Sequence, residues 1–173
     1  MECRGVKSLP QFFSFRRRQA LKKHPADEIR HRLGWLQAVP NGLAARSSGL
    51  KILGDDSVLP RLRAAGACAA VAVGSVGDTA NRARLRRRLL ALGFETPARV
   101  HPSAIVSPSA TVARGAQVMA GVVLNPSVSV GAGAVVNTGA VIEHDCALGE
   151  DCFIGPGAVL GGEVVVGAGA FVG

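Results

Sequence analysis

The chain has 173 residues, with 20 lysines and arginines against 12 aspartates and glutamates, and four cysteines. That length has room for one repeat domain and a smaller unit. Because no apolar run approaches a membrane span and no secretory signal opens the chain, we expect no membrane insertion. The cysteines form no CxxC pair, and Cys146 and Cys152 occupy positions predicted to be buried. We therefore expect reduced core cysteines in a cytoplasmic protein.

Positive charge is concentrated in the first part of the chain. Residues 1–100 carry 19 basic and 7 acidic residues, whereas residues 101–173 carry one basic and five acidic residues. Residues 1–48 combine basic clusters with aromatic side chains, a composition that can contact nucleic acid or an anionic membrane surface. Because the basic residues are scattered and form no recognition motif, we predict no nucleic-acid binding and a leader that is disordered or unrelated to the rest of the chain.

Residues 49–98 have the pattern of a small α/β unit. We predict a strand over residues 50–54 and a helix that begins after Asp56 or Ser57 and ends near Ala65. A Rossmann-like domain also needs an earlier strand followed by a glycine-rich turn, and residues 1–48 contain neither. The unit is therefore predicted to be a partial Rossmann-like, nucleotide-binding-like unit.

The second half of this unit contains one more strand and one more helix. The small apolar run at residues 68–73 is typical of a buried parallel strand, and Gly74 follows at its end, where ligands usually meet such strands. A helix capped by Asp78 or Thr79 should end at Gly93. Its inward stripe is predicted to be Leu85, Leu89 and Leu92. Its solvated face is predicted to carry Arg84, Arg86, Arg87 and Arg88.

The rest of the chain repeats every six residues. Thirteen aliphatic residues in succession are six apart: Val100, Val106, Val112, Val118, Leu124, Val130, Val136, Ile142, Leu148, Ile154, Leu160, Val166 and Val172. Four positions after each of the first twelve stands Ala, Val or Cys, and glycine, proline and small polar residues fill the columns between. The pattern predicts inward aliphatic side chains, tight corners and no helix.

This period predicts a left-handed parallel β-helix of hexapeptide repeats over residues 99–173. Three hexads close one triangular coil, so the segment forms about four coils stacked at roughly 4.8 Å. Ordinary antiparallel strands would show a period of two, which is absent. Because the chain ends within a repeat, we expect this domain to be incomplete at its C-terminus.

Polar side chains other than turn formers are few in the repeat, and they cluster at Asn137 and at Glu143, His144 and Asp145. An imidazole flanked by carboxylates is suited to act as a general base, because negative charge stabilises its protonated form. The alternative interpretation is a solvated surface histidine.

A zinc site is the other chemistry that a histidine in a β-helix suggests. Zinc needs three or four converging ligands. The repeat has only His101 and His144, in different columns, and Cys146 and Cys152 occupy the inward small-residue column. We therefore predict that no metal is bound.

The segment NTGAVIEHDCALGEDCFIGPGAVLGGEVVVG resembles the hexapeptide-repeat acetyltransferases of bacterial surface sugars. These include the sialic acid O-acetyltransferases and the N-acetyltransferases of nucleotide-linked 4-amino sugars. The resemblance extends back through GFETPARVHPSA and VAVG to LGDDSVL, and so covers residues 49–173. It implies a homotrimer with acetyl-CoA in grooves between β-helices, and direct transfer to a sugar or sugar-nucleotide acceptor.

The resemblance also implies roles for single residues. His144 matches the general base, Asp145 its acidic neighbour, and Asn137 an asparagine beside the reacting groups. Gly74 matches the glycine at the sugar-nucleotide cleft. Phe153 stands where many relatives carry a second histidine near the thioester, and is therefore expected at the coenzyme site.

Two other functions remain open from the sequence. A truncated β-helix without catalytic activity could serve as a trimeric scaffold, and the acceptor of an active enzyme could be serine or a simple sugar. The Glu143-His144-Asp145 cluster favours an enzyme.

Overall fold

A computed structural model describes residues 11–16, 34–37 and 53–173, with side chains described from Leu53 onward. The chain forms a small α/β unit followed by a long stack of two-residue strands.

The stack is a parallel β-helix. Its strands are β4 Arg99–Val100, β5 Ile105–Val106, β6 Thr111–Val112, β7 Gln117–Val118, β8 Val123–Leu124, β9 Ser129–Val130, β10 Val135–Val136, β11 Val141–Ile142, β12 Ala147–Leu148, β13 Phe153–Ile154, β14 Val159–Leu160, β15 Val165–Val166 and β16 Phe171–Val172. Each strand pairs in parallel with the strand 18 residues away, as Val136 does with Ile154. The predicted coil of three hexads is confirmed.

Three parallel sheets form the faces of the prism. The first sheet has the order β4-β7-β10-β13-β16, the second β5-β8-β11-β14 and the third β6-β9-β12-β15. A two-residue strand makes too few hydrogen bonds to persist alone, so each coil depends on the coils above and below it.

The aliphatic column fills the interior, as the sequence predicts. Val136, Ile142 and Ile154 are fully buried, and the small column beside them, including Ala134 and Ala140, is buried to the same degree. Val100 and Val172 are only partly buried because the terminal coils have a neighbour on one side. Cys146 and Cys152 lie in this interior as free thiols, as expected.

One column of corner residues has positive φ. It contains Gly115, Gly121, Ser127, Gly133, Gly139, Asp145, Asp151, Gly157, Glu163 and Gly169, each six residues from the next. A residue in the left-handed region turns the chain sharply from one face of the prism to the next, and glycine and aspartate adopt it at lower cost than branched residues do. The corner geometry therefore fixes the direction in which the neighbouring side chains leave the prism.

The α/β unit differs from the predicted arrangement in its strand pairing. Strand β3 (Ala67–Val71) pairs antiparallel with β1 (Gln11–Arg16), which pairs antiparallel with β2 (Gly34–Gln37). The predicted parallel pairing of this strand is therefore wrong. The run of small apolar residues identified the strand. Such a run does not determine whether the neighbouring strand is parallel or antiparallel.

The leader expected to lack structure supplies β1 and β2. The rest of residues 1–48 lies outside the described residues, and the division of the chain at residue 48 stays a prediction. The strand expected at residues 50–54 also falls largely outside them, and Leu53 and Gly54 belong to no strand.

The two helices form close to where they are predicted. Helix α1 (Leu59–Ala64) follows a 3₁₀ turn, Asp56–Val58, whose cap is Asp55, one residue before the predicted candidates. Helix α2 (Ala80–Ala91) begins after Thr79, and Gly93 ends it with φ of 78°.

The burial of side chains on α2 differs from the prediction at one leucine and one arginine. Leu85 and Leu89 are buried, but Leu92 is 39% exposed because it lies past the last helical turn. Arg86, expected in solvent, is buried, and so is Arg82.

A matched pair of substitutions tests the core. Val136→Ala should lower the free energy of unfolding by about 2–3 kcal/mol, from about 0.8 kcal/mol per lost methylene group and a further cost for the cavity. Val165→Ala makes the same change at an outward position that is 77% exposed, and should cost less than about 0.5 kcal/mol. Urea denaturation measures both, and equal losses would contradict the inward orientation of the aliphatic column.

Candidate active site

His144 lies at the corner between the second and third sheets, two residues after the end of β11. Its Nδ1 is 2.8 Å from Oδ2 of Asp145, and both side chains are more than half exposed. Asp145 has φ of 59°, and its backbone N–H donates to the carbonyl of Pro126 in the coil below at 3.0 Å. The turn therefore holds the carboxylate beside the imidazole, and the predicted contact of His144 with Asp145 is present.

The surrounding charges favour the protonated imidazole. The pKa of His144 is raised above its ordinary value of 6.5, chiefly by the hydrogen bond to Asp145 and further by the negative charges of Asp145, Glu143 and Glu163. With Asp145 accepting from Nδ1, the neutral ring carries its free lone pair on Nε2. Nε2 is therefore the ring nitrogen that can accept a proton while Nδ1 stays bonded to Asp145.

Gly162, which the sequence interpretation missed, makes room for the imidazole. It stands 18 residues after His144, and a Cβ atom there would lie 2.7 Å from both Cε1 and Nε2 of the ring. The backbone N–H of Glu163 donates to the carbonyl of His144 at 2.9 Å. The coil period in the sequence could have identified this neighbour.

Three of the predicted site residues lie together in a second place. Gly74, Asn137 and Phe153 line an open cleft of about 130 Å³, together with Ala72, Val73, Arg82, Gln117, Met119 and Val135. The cleft lies between the end of β3 and the outer side of the first sheet. Asn137 follows β10 at the corner between the first and second sheets, and its Oδ1 accepts from the N–H of Thr138 at 2.7 Å.

His144 and Asp145 are not among the residues that line this cleft. They lie at the next corner of the prism, across the second sheet from Asn137. The structure therefore places the predicted residues in two groups, with the acid–base pair at one corner and the cleft residues at another.

Phe153 forms the aromatic part of the cleft. Its ring stacks on Phe171 in the next coil, with centroids 5.2 Å apart and planes 3° from parallel. Phe153 is 6% exposed, because the α/β unit covers the first sheet. The Phe153 ring presents an apolar surface to the cleft and cannot transfer a proton.

Arg82 also lines the cleft, although the sequence interpretation did not single it out. It is buried, and its Nη1 donates to the carbonyls of Val71 and Val73 at 3.0 and 3.1 Å. Burial lowers the pKa of its guanidinium to about 10, so it remains charged at neutral pH. Its Nε has no hydrogen-bond partner.

Across residues 53–173, no group of three or more His, Cys, Asp or Glu side chains is arranged to hold a metal ion. In the same part of the chain, no helix is both long enough and apolar enough to cross a membrane.

The chain matches no protein-family model and no curated protein, but it matches several solved structures. It is 39% identical to a histidine-to-asparagine variant of perosamine N-acetyltransferase from Caulobacter crescentus, in complex with CoA and GDP-perosamine, with a TM-score of 0.59. That match covers 71% of this chain and 60% of the other. PerB from the same organism, with the same two ligands, is 35% identical, with 72% and 71% of the two chains covered and a TM-score of 0.50.

The chain belongs to the hexapeptide-repeat sugar acetyltransferases. The acetyltransferase domain of PglB from Neisseria gonorrhoeae FA1090, in complex with acetyl coenzyme A, is 26% identical and has a TM-score of 0.58. That match covers 77% of this chain and 72% of the domain. The predicted left-handed β-helix is confirmed as the fold of this acetyltransferase family.

The role of Asp145 is tested by titration. Replacing its carboxylate in Asp145→Asn removes the largest cause of the raised pKa of His144, so the pKa should fall. A reaction that needs neutral imidazole gains rate as pH rises through that pKa. The rising limb of a pH–rate profile that depends on neutral His144 should therefore move to lower pH in this variant.

Proton NMR of the imidazole resonances measures the change directly. His101, whose ring contacts Ser103 at a different corner, is the internal reference. An unchanged His144 titration in Asp145→Asn would show that the hydrogen bond does not control the ring.

Proposed function

We propose that this protein transfers the acetyl group of acetyl-CoA to the amino group of a nucleotide-linked amino sugar. The observation that carries the proposal is the His144–Asp145 hydrogen bond at an exposed corner of a β-helix of this family. The matched structures contain CoA or acetyl-CoA, and two of those described above also contain GDP-perosamine. Since this chain spans 60% of the first of these, its activity and its acceptor are both part of the proposal.

The proposed reaction is a direct transfer with His144 as general base. The amine of the acceptor attacks the thioester carbonyl, a C–N bond forms, and the C–S bond breaks as CoA leaves. Nε2 of His144 takes the proton that the amine loses, and this proton then passes to the thiolate, which gives CoA thiol and returns His144 to its neutral form. Asp145 holds the ring and stabilises its protonated form. Binding both reactants in one place supplies the proximity contribution to the rate.

We propose that two copies of the chain complete each site in a homotrimer. The outward residue of every strand in the second sheet is aliphatic, namely Ile105, Val123, Val141 and Val159. Ile105 and Val159 are 67% and 69% exposed in the single chain, and an aliphatic stripe of this kind is typical of an interface between subunits.

The position of this stripe explains how the two groups of site residues could meet. The second sheet lies between the corner with Asn137 and the corner with His144. If three prisms pack with this sheet toward a threefold axis, the Asn137 corner of one protomer faces the His144 corner of its neighbour. The base would then act on an acceptor held in the neighbouring cleft.

We further propose that the enzyme acts in the cytoplasm. The buried free thiols of Cys146 and Cys152 suit a reducing compartment.

Replacement of the base tests the proposed reaction. With GDP-perosamine as acceptor, His144→Ala should lower kcat by about 10²- to 10⁴-fold, the usual contribution of a general base. The KM for acetyl-CoA should change little, because the ring acts mainly in the transition state. His101→Ala is the matched control and should retain full activity. Near-normal kcat in His144→Ala would make His144 a surface histidine without a catalytic role.

Mixing two impaired variants tests the shared site. His144→Ala and Asn137→Ala each damage one half, so co-refolded mixed trimers should contain restored sites that pair an intact His144 with an intact Asn137. Each site takes His144 from one protomer and Asn137 from its neighbour. With equal random mixing, each of these two residues is intact in half of the protomers, so about a quarter of the sites contain both. A mixture no more active than its components would place both groups within one protomer.

A further inference from the structure

The cleft of Gly74 and Asn137 has walls from two separate parts of the chain. Ala72, Val73, Gly74 and Arg82 come from the α/β unit. The opposite wall is the outer side of the first sheet, where Asn137 and Phe153 lie. The width of the cleft therefore depends on what holds the α/β unit against the β-helix.

Arg86 on α2 makes a charged contact between the two parts. Its Nε donates to Oδ1 of Asp151 at 2.7 Å and its Nη2 donates to Oδ2 of Asp151 at 2.8 Å. Nη2 also donates to Oε1 of Glu150. The Arg86 and Asp151 side chains are only 8% and 9% exposed. A two-bonded arginine–carboxylate pair fixes orientation as well as distance.

The corner that receives Arg86 is shaped for it. Asp151 has φ of 53° and donates its backbone N–H to the carbonyl of Ala132 at 2.9 Å. Gly133 lies one coil below Asp151, and a Cβ atom there would overlap Oδ1 of Asp151 and Nε of Arg86. The missing side chain at Gly133 therefore leaves the space through which the guanidinium reaches Asp151.

Arg82 connects this contact to the cleft. It precedes Arg86 by four residues on α2, so the two side chains leave the same face of the helix. Its bonds to the carbonyls of Val71 and Val73 hold the end of β3, immediately before Gly74. A continuous series of contacts thus runs from Asp151 through Arg86, α2 and Arg82 to the Gly74 wall.

Two neutral hydrogen bonds cross between the same parts of the chain. Oγ1 of Thr79 donates to the carbonyl of Gly169 at 2.8 Å, and Nε2 of Gln117 donates to the carbonyl of Val71 at 2.7 Å. These two hydrogen bonds keep the α/β unit attached to the β-helix when Arg86 is changed. Loss of the arginine should therefore shift the Gly74 wall without detaching the α/β unit.

We propose that Arg86, through its bonds to Asp151 and Glu150, is a positioning residue that fixes the Gly74 wall of the cleft relative to Asn137 and thereby sets the affinity for the acceptor. The proposal rests on the proposed function for the identity of that acceptor. Arg86 does not line the cleft, so it acts through α2 and Arg82. The wall with Asn137 and Phe153 belongs to the β-helix and keeps its position without Arg86.

The test uses variants that avoid an unpaired buried charge. The double variant Arg86→Gln with Asp151→Asn removes both charges, and asparagine tolerates the left-handed φ at this corner. Arg86→Lys keeps the charge but loses the two-bonded geometry. Arg87→Gln is the matched control, because Arg87 is an exposed arginine on the same helix.

Steady-state kinetics with GDP-perosamine and acetyl-CoA give the first readout. In the double variant the KM for GDP-perosamine should rise about 10-fold, the effect expected when a displaced wall weakens about one hydrogen bond to the acceptor. The KM for acetyl-CoA should stay within about twofold, because its proposed groove lies on the β-helix side. Arg86→Lys should give an intermediate increase, and Arg87→Gln none. Equal increases in both KM values, or the same increase in Arg87→Gln, would overturn the proposal.

Backbone NMR gives a second readout that needs no ligand. The amide chemical shifts of Val73 and Gly74 should change in the double variant and in Arg86→Lys but not in Arg87→Gln, while those of Leu124 and Ile142 in the β-helix should stay the same. Unchanged amide shifts at Val73 and Gly74 in the double variant would overturn the positioning role. If the unmodified protein neither binds nor acetylates GDP-perosamine, the proposed function fails for that acceptor, and changed shifts at these two amides would still support the fixed wall.

Discussion

The fold depends on the requirement that each two-residue strand find a partner 18 residues away. A strand of this length gains little from its own hydrogen bonds, and its inward side chain is buried only when a coil lies on each side. Ile142 is fully buried between its neighbours, whereas Val100 and Val172 on the terminal coils are not. The left-handed corner residues from Gly115 to Gly169 repeat with the same spacing as the strands and turn the chain from each face to the next.

That constraint also decides where chemistry can lie. The inward columns must contain aliphatic and small residues because they form the core. Side chains in the corner columns do not pack in the core and can be polar. His144 and Asp145 occupy such a corner, and their hydrogen bond depends on the left-handed turn at Asp145. The coil period places Gly162 beside the imidazole. The same stacking that stabilises the protein therefore fixes the surroundings of the candidate base.

The arginines of α2 show that the tertiary structure decides which charged side chains of a helix are exposed and which are buried. Arg84 and Arg87 lie in solvent, while Arg82 and Arg86 are buried on the same helix. Isolated burial of a guanidinium is unfavourable, and Arg86 is compensated by Asp151 and Glu150. Arg82 is compensated in part by two backbone carbonyls, and burial lowers its pKa. The two residues together attach the α/β unit to the β-helix and to the end of its own strand.

The sequence by itself determined the β-helix, its strand positions and its inward columns, because these follow from a local period that every coil repeats. It also predicted the contact of His144 with Asp145, since the two are adjacent in one turn, and it identified Gly74, Asn137 and Phe153, which the structure brings to one cleft. Only the tertiary structure decided that β3 pairs antiparallel, that Leu92 is exposed and that Arg82 and Arg86 are buried. The partners of Arg86 are 64 and 65 residues away, and no local pattern on α2 records which of its faces another part of the chain will cover.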